Sequence, residues 1–351
     1  MRNFVVVLLA LCLVASIPAY AADEVVKESK TVQVYSWGNC LYSMYGNSTP
    51  EVATACMKAM KADPMPVLNS VGGDWHGSMV GYAKKNMQTW ITGEAKADDP
   101  QFAFGVYAKY FKPLEGKKPD IVLLQPTDFK DTVSLKPFRD AATQVNARFI
   151  LYITAANLSH KTRPVGKREK VPADVKVENN MIIRPLADFE AAAKTMDENC
   201  AVLAKTLNAE IAPTYRTFLI LQRTHPEINL HAPRADGDAH VSFYEAYANG
   251  CTLATAILRK KLDVLPDLAF LKGDFDRYAK NIKDHPTTPP TVATPVAEVI
   301  TPEVQKIIHE AAWQAVQEQM GRLISYSLTR RMKPRMGSSA NIFALSAPAE
   351  P

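Results

Sequence analysis

Apolar residues in this chain follow two rhythms that alternate from residue 31 to residue 258. Short runs, apolar or β-rich, occur at 31–37 (Thr-Val-Gln-Val-Tyr-Ser-Trp), 66–71, 120–124 (Asp-Ile-Val-Leu-Leu), 147–154 and 210–213. Runs of this length bounded by Gly or Pro predict buried strands. Between them, apolar residues recur at helical spacing. Val52, Ala53, Cys56, Met57 and Met60 predict a helix over 50–60, opened by Ser48-Thr49-Pro50. Phe189, Ala193, Met196, Cys200, Leu203 and Leu207 predict a long one over 186–207, and further helices are expected at 77–91, 102–114 and 241–258. Strands separated by helices of ten or more residues imply a parallel sheet covered on both faces. The predicted fold is therefore a three-layer α/β/α sandwich around a central parallel sheet. In such sheets ligands bind outside the carboxyl ends of the strands.

The chain ends break this rhythm. Arg2 precedes a nearly unbroken apolar run from Phe4 to Ile17, followed by Ala19-Tyr20-Ala21 and the polar Asp23-Glu24. That is the pattern of a secretory signal peptide, residues 1–21, cleaved after Ala21, and it is short for a membrane span. Cys12 follows Leu11 inside the apolar run, which speaks against lipid attachment there. The mature protein is expected to be secreted or periplasmic, with no transmembrane span. Residues 30–275 read as one domain. Residues 284–302 are rich in Pro and Thr and predict a stiff linker. An amphipathic helix within 302–334 follows, with Val304, Ile308, Ala311, Ala315, Leu323 and Ile324 on its apolar side, expected to pack back on the domain or to self-associate. It leads through Arg330, Arg331, Lys333 and Arg335 into a tail at 335–351 expected to be disordered. The basic stretch at 159–172, with two prolines, predicts a solvated loop or a basic lip over the site.

Composition narrows the function classes only a little. With 41 basic and 36 acidic residues the net charge is +5, and 47% of residues are hydrophobic. This is an ordinary globular balance with no nucleic-acid module. Beyond the leader the chain carries Cys40, Cys56, Cys200 and Cys251. An oxidising compartment permits two disulfides among them, but a chain of 351 residues can bury a core without staples.

The candidate chemistry lies in two segments. Asp236-Gly237-Asp238-Ala239-His240 puts carboxylates beside an imidazole on a loop that opens a helix. Gly38-Asn39-Cys40 follows the first strand and supplies a thiol at a strand-to-helix turn, where free backbone N–H groups favour a thiolate. Acyl transfer needs a nucleophile, a base within about 3 Å and a group to orient that base. Cys40, His240 and either Asp238 or Asp236 meet that requirement in kind. The alternatives stand beside it. Cys40 can instead pair with Cys56, closing a loop worth about 3 kcal/mol, or be an inert thiol. His240 can be a cap, and His76 a structural loop residue. Cys200 and Cys251 read as core residues. Zinc binding by His76, His240 and Asp238 has no compact ligand spacing behind it, and neither a metal nor another cofactor is expected.

Four blocks, in order, resemble the SGNH (GDSL-like) hydrolase superfamily. Val-Gln-Val-Tyr-Ser-Trp-Gly38-Asn39-Cys40 is similar to its first block, with cysteine where the family has serine. Asn69-Ser70-Val71-Gly72-Gly73 is similar to the second, Gln125-Pro126-Thr127-Asp128 to the third and Asp236 to His240 to the last. The resemblance implies an SGNH/flavodoxin-like fold, an oxyanion hole at Gly72, Gly73 and Thr127, and a catalytic set of Cys40, His240, Asp238 and Asp236. Thr127 replaces the family's asparagine. The last block departs from Asp-x-x-His: Asp238 lies one residue closer to His240 and Asp236 one farther.

Three functions follow as expectations. The first is an exported hydrolase acting on a small acyl ester, such as an acetyl ester of a carbohydrate. The second is a catalytically inactive relative that binds glycan or envelope components in the same cleft. The third is a partner protein that works through its C-terminal helix.

Overall fold

The computed structural model describes residues 31–38, 49–71, 88–95, 116–126, 132–154, 185–228, 243–269 and 300–332, with shorter stretches between 162 and 183. Along the chain these form β1 (Val32–Trp37), α1 (Thr49–Ala59), β2 (Pro66–Val71), β3 (Ile121–Leu124), α2 (Thr132–Gln144) and β4 (Arg148–Ile153). Then come β5 (Thr162–Pro164), β6 (Lys176–Glu178), β7 (Met181–Ile183), α3 (Leu186–Leu207), β8 (Glu210–Pro213), α4 (Thr214–Thr224), α5 (Phe243–Leu258) and α6 (Pro302–Met332). Residues 88–92 are also helical. The predicted signal peptide, the helix at 102–114, most of the linker and the tail lie outside the described residues.

β2, β1, β3, β4 and β8 form a five-stranded sheet in that order, parallel throughout. β3 is buried at every position and β4 at all but its first residue, which is why they read as unbroken apolar runs. The chain steps from β1 outward to β2, then back across to β3, β4 and β8. Right-handed crossovers therefore place α1 on one face and α2 and α3 on the other. Packing agrees: α1 lies against β2 and α5, and α2 against β4 and α3. The fold is α/β with an all-parallel sheet, consistent with three α/β/α layers, and its elements belong to one compact unit, Thr31–Pro351.

Local chemistry ends the helices sharply. Lys61, Asn146, Asn208 and Arg259, just past α1, α2, α3 and α5, all have left-handed φ values between 48° and 58°. After α3 the N–H groups of Asn208 and Ala209 both turn back to the Ala204 carbonyl, which satisfies the last turn.

The predicted loop at 159–172 requires a correction. Thr162–Pro164 is a strand, paired antiparallel with β7, which also pairs with β6 in a small second sheet. Strands of three residues leave too short a pattern to read.

The C-terminal helix lies against α4, α5 and β8. Ile308, Ala311, Ala312, Ala315 and Val316 are buried, together with Gln305, His309 and Gln319. Among the described residues no helix is long and apolar enough to cross a membrane.

Arg148 orients α5. It begins β4, at the amino edge of the sheet, and forms two parallel hydrogen bonds of 2.8 Å to Glu210. The same guanidinium donates to the Ile257 and Ala256 carbonyls, at 2.9 and 3.1 Å. Those are last-turn carbonyls of α5, left without helical partners and carrying the negative end of the helix dipole. The C-terminus of α5 is thus clamped at the amino edge. Its 16 residues span about 24 Å, which carries its N-terminus to the carboxyl edge.

Candidate functional site

Sheet order singles out one place on that carboxyl edge. β1 is the strand from which the chain departs in both directions, so the strand order reverses between β1 and β3, and in parallel sheets ligands bind at the carboxyl end of such a switch point. Trp37, the last residue of β1, stands level with Val71 on β2 and Leu124 on β3. The Gln125 N–H donates to the Trp37 carbonyl at 2.9 Å, which extends the ladder one residue past β3. Trp37, Leu124 and Gln125 are all buried at this end of the sheet. Farther along the edge, Thr154 is buried beyond β4, and the Thr214 hydroxyl, at the start of α4, bonds the Ile153 carbonyl.

The predicted site residues connect to this edge in sequence. Cys40 lies two residues beyond Gly38, Gly72 and Gly73 follow Val71, and Thr127 lies two beyond Gln125. Asp236, Asp238 and His240 precede the first residue of α5 by seven, five and three positions. Cys40, Gly72, Gly73, Thr127, Asp236, Asp238 and His240 all lie outside the described residues, as does His76.

One alternative for Cys40 meets a structural finding. Cys56 is a free thiol, fully buried on α1, with its Sγ 3.9 Å from Cys251 Sγ on α5. Its described neighbour is Cys251, and its thiol is free, which is not the pairing with Cys40 that was one of the alternatives. Cys200 and Cys251 are core residues, as their helical positions predict.

A second polar cluster, invisible to sequence reasoning, lies inside the helical layer. The ligand atoms of Cys56, Cys251 and His309 all fall within 4.8 Å of one another, and all three residues are buried. The Tyr247 hydroxyl is 2.8 Å from His309 Nε2 and 3.0 Å from Gln305 Oε1, and the tyrosine ring stacks on the imidazole. His309 Nδ1 is 3.1 Å from the Leu262 carbonyl. A carbonyl only accepts, so Nδ1 carries a proton there. The thiols are unequal. A hydrogen bond from Cys251 lowers the Cys56 pKa against the opposing effect of burial, and His309 lowers it further. Burial pushes Cys251 well up, and Cys56 pushes it higher still. Residues 56, 251 and 309 are so far apart in sequence that no local spacing announces them.

Comparison with family models, curated proteins and solved structures finds no match to this chain.

Proposed function

We propose that this chain is an exported ester hydrolase of the SGNH type, with a flavodoxin-like strand order, in which Cys40 replaces the usual serine. The observation that carries the reading is that β1, β2 and β3 end at one edge of a parallel sheet and that each predicted block follows one of those ends, or precedes α5, in sequence. β1 ends before Cys40, β2 before Gly72-Gly73 and β3 before Thr127, while α5 begins just after His240. Four blocks distant in sequence are thus each joined to an element of the parallel sheet or to α5, and ligands bind at the carboxyl end of such sheets.

In the proposed cycle, His240 takes the Cys40 proton as sulfur attacks the acyl carbonyl, and returns it to the departing alkoxide. Water, activated by His240, then cleaves the thioester and restores the thiol. Asp238 or Asp236 orients the imidazole. The N–H groups of Cys40 and of Gly72 or Gly73, with the Thr127 hydroxyl, hold the oxyanion. Small acyl esters, including acetyl esters of carbohydrates, are the substrate class. The predicted leader would deliver the enzyme to the periplasm or the medium.

The test is hydrolysis of p-nitrophenyl acetate and an acetylated polysaccharide by the mature chain. Cys40→Ala should lower kcat by at least about 1,000-fold, as loss of a triad nucleophile does. Thr127→Val should cost on the order of 100-fold. A folded wild-type protein that binds glycan saturably without turnover would establish the inactive relative instead.

A further inference from the structure

We propose that Cys56, Cys251 and His309 bind a zinc ion, with the Tyr247 hydroxyl at the fourth corner, and that this ion staples the C-terminal helix to the domain. The proposal is independent of the hydrolase reading, since Cys40 is not among the ligands. Each ligand comes from a different helix: Cys56 from α1, Cys251 from α5 and His309 from α6.

Four observations support it. The first is the sulfur spacing. Zinc–sulfur bonds of about 2.3 Å imply an S···S edge of about 3.8 Å in a tetrahedral site, and the two Sγ atoms are 3.9 Å apart. A disulfide needs about 2.05 Å, so the separation fits two ligands of one ion. The second is the imidazole. Nδ1–H donates to the Leu262 carbonyl, the outer contact that fixes a metal-binding histidine in the tautomer with a lone pair on Nε2.

The third is the fourth corner. Tyr247 OH is 2.8 Å from Nε2 and also contacts Cys251. Its single proton faces two acceptors, Nε2 and Gln305 Oε1. An ion on Nε2 releases that proton to Gln305, whose own Nε2 donates to the Ile300 carbonyl. The fourth is charge. Loading one Zn2+ releases two protons and leaves two thiolates, a neutral imidazole and a neutral phenol. The loaded site is therefore electrically neutral, which suits a place where Cys56 and Cys251 are 0% and His309 2% exposed.

The ligand set selects the ion. Two sulfurs and an imidazole, with no carboxylate in the cluster, suit a borderline-soft cation and not calcium or magnesium. Four protein corners with no water position make the site structural.

The experiment uses the full mature chain, purified without chelator under thiol-preserving conditions. Elemental analysis should give one zinc per chain. Cobalt replacement should give tetrahedral d–d bands and the charge-transfer absorption of two cobalt–thiolate bonds. Cys251→Ser should remove one thiolate band and weaken binding at least about 100-fold. His309→Gln should keep both thiolate bands and shift the d–d bands. Removing zinc should open a protease cut before α6. A folded, reduced wild-type chain that takes up neither zinc nor cobalt overturns the proposal. So does a native Cys56–Cys251 disulfide, copper in place of zinc, or zinc retained by the Cys56→Ser/Cys251→Ser variant.

Discussion

Asp197→Asn is a direct probe of what holds the helical layers in register. Arg216 on α4 is 5% exposed, and its guanidinium meets two carboxylates. Nε donates to Asp197 Oδ1 at 2.8 Å and NH2 donates to Asp197 Oδ2, while NH1 donates to Glu318 Oε2 at 2.5 Å. Tyr215 OH adds a 2.7 Å bond to Asp197 Oδ1. The network joins α3, α4 and α6. The asparagine keeps the shape but turns an NH2 group toward a donor-rich guanidinium and removes the better-buried carboxylate. Breaking a buried pair costs about 3–5 kcal/mol. Here Glu318 remains as a partner, and the Asp197 side chain is 19% exposed, so the expected loss is about 2–3 kcal/mol. Glu318→Gln should cost less than about 1 kcal/mol, because that carboxylate is 39% exposed. Urea unfolding of the mature chain gives both numbers. Adding Arg216→Met to Asp197→Asn should recover part of the loss, since the buried cation left with only the half-exposed Glu318 is then gone. Equal costs for Asp197→Asn and Glu318→Gln, or an Asp197→Asn variant as stable as wild type, would refute the reasoning.

Other consequences are equally open to measurement. Gly250 lets α5 approach α1 closely: a Cβ there would fall 2.5 Å from Val52 Cβ and Cγ1. Gly250→Ala gains roughly 1 kcal/mol of helix propensity but must force the helices apart at about 1–3 kcal/mol. A net loss of about 1 kcal/mol in urea unfolding is expected, and a more stable variant would contradict the packing. For Glu210, burial pushes the pKa up, but hydrogen bonding and charge from Arg148 and Arg259 outweigh it, so the folded value is depressed. Its contribution is present above the unfolded carboxylate pKa and lost as pH falls through the folded one. Glu210→Gln should therefore cost about 1–2 kcal/mol at neutral pH and nothing at strongly acid pH. A penalty independent of pH would show that the charge is irrelevant. Cys200 is pushed up to about 12 by burial, so it should resist iodoacetamide in the native chain at neutral and mildly alkaline pH and react on unfolding, as read by peptide mass spectrometry.

Much of the fold was legible because the central strands of the large sheet, β3 and β4, are short and buried. Runs such as Ile121-Val-Leu-Leu124 need no partner to be recognised. α3 was legible for the converse reason, since Phe189, Met196, Cys200 and Leu203 mark one face of a long helix. α4 was missed because it starts directly after β8 at Thr214, with Pro213 in the cap position and no side-chain cap bond. α2 was hidden by Pro137, which reads as a breaker but lies within the helix. The apolar side of α6 was readable from Ile308, Ala311 and Ala315, but nothing in that apolar pattern marked His309 as buried. The Cys56–Cys251–His309 cluster could not be read at all. Its ligands meet only after α1, α5 and α6 have packed, and no motif of fixed spacing carries that information. The carboxyl-edge switch point is intermediate. Its position follows from strand order, while the residues predicted at it, Cys40, Gly72, Gly73, Thr127, Asp236, Asp238 and His240, lie outside the described residues.

The central claim is that Cys40 is an activated nucleophile at this edge. The most direct measurement is alkylation of the native mature chain by iodoacetamide over a range of pH, with each cysteine mapped by mass spectrometry and ester hydrolysis followed in the same samples. The account predicts that Cys40 alone reacts, at a pH well below the ordinary thiol pKa of about 8.5, and that hydrolysis falls in proportion to its modification. An unreactive Cys40, or hydrolysis that survives its complete alkylation, would contradict the account.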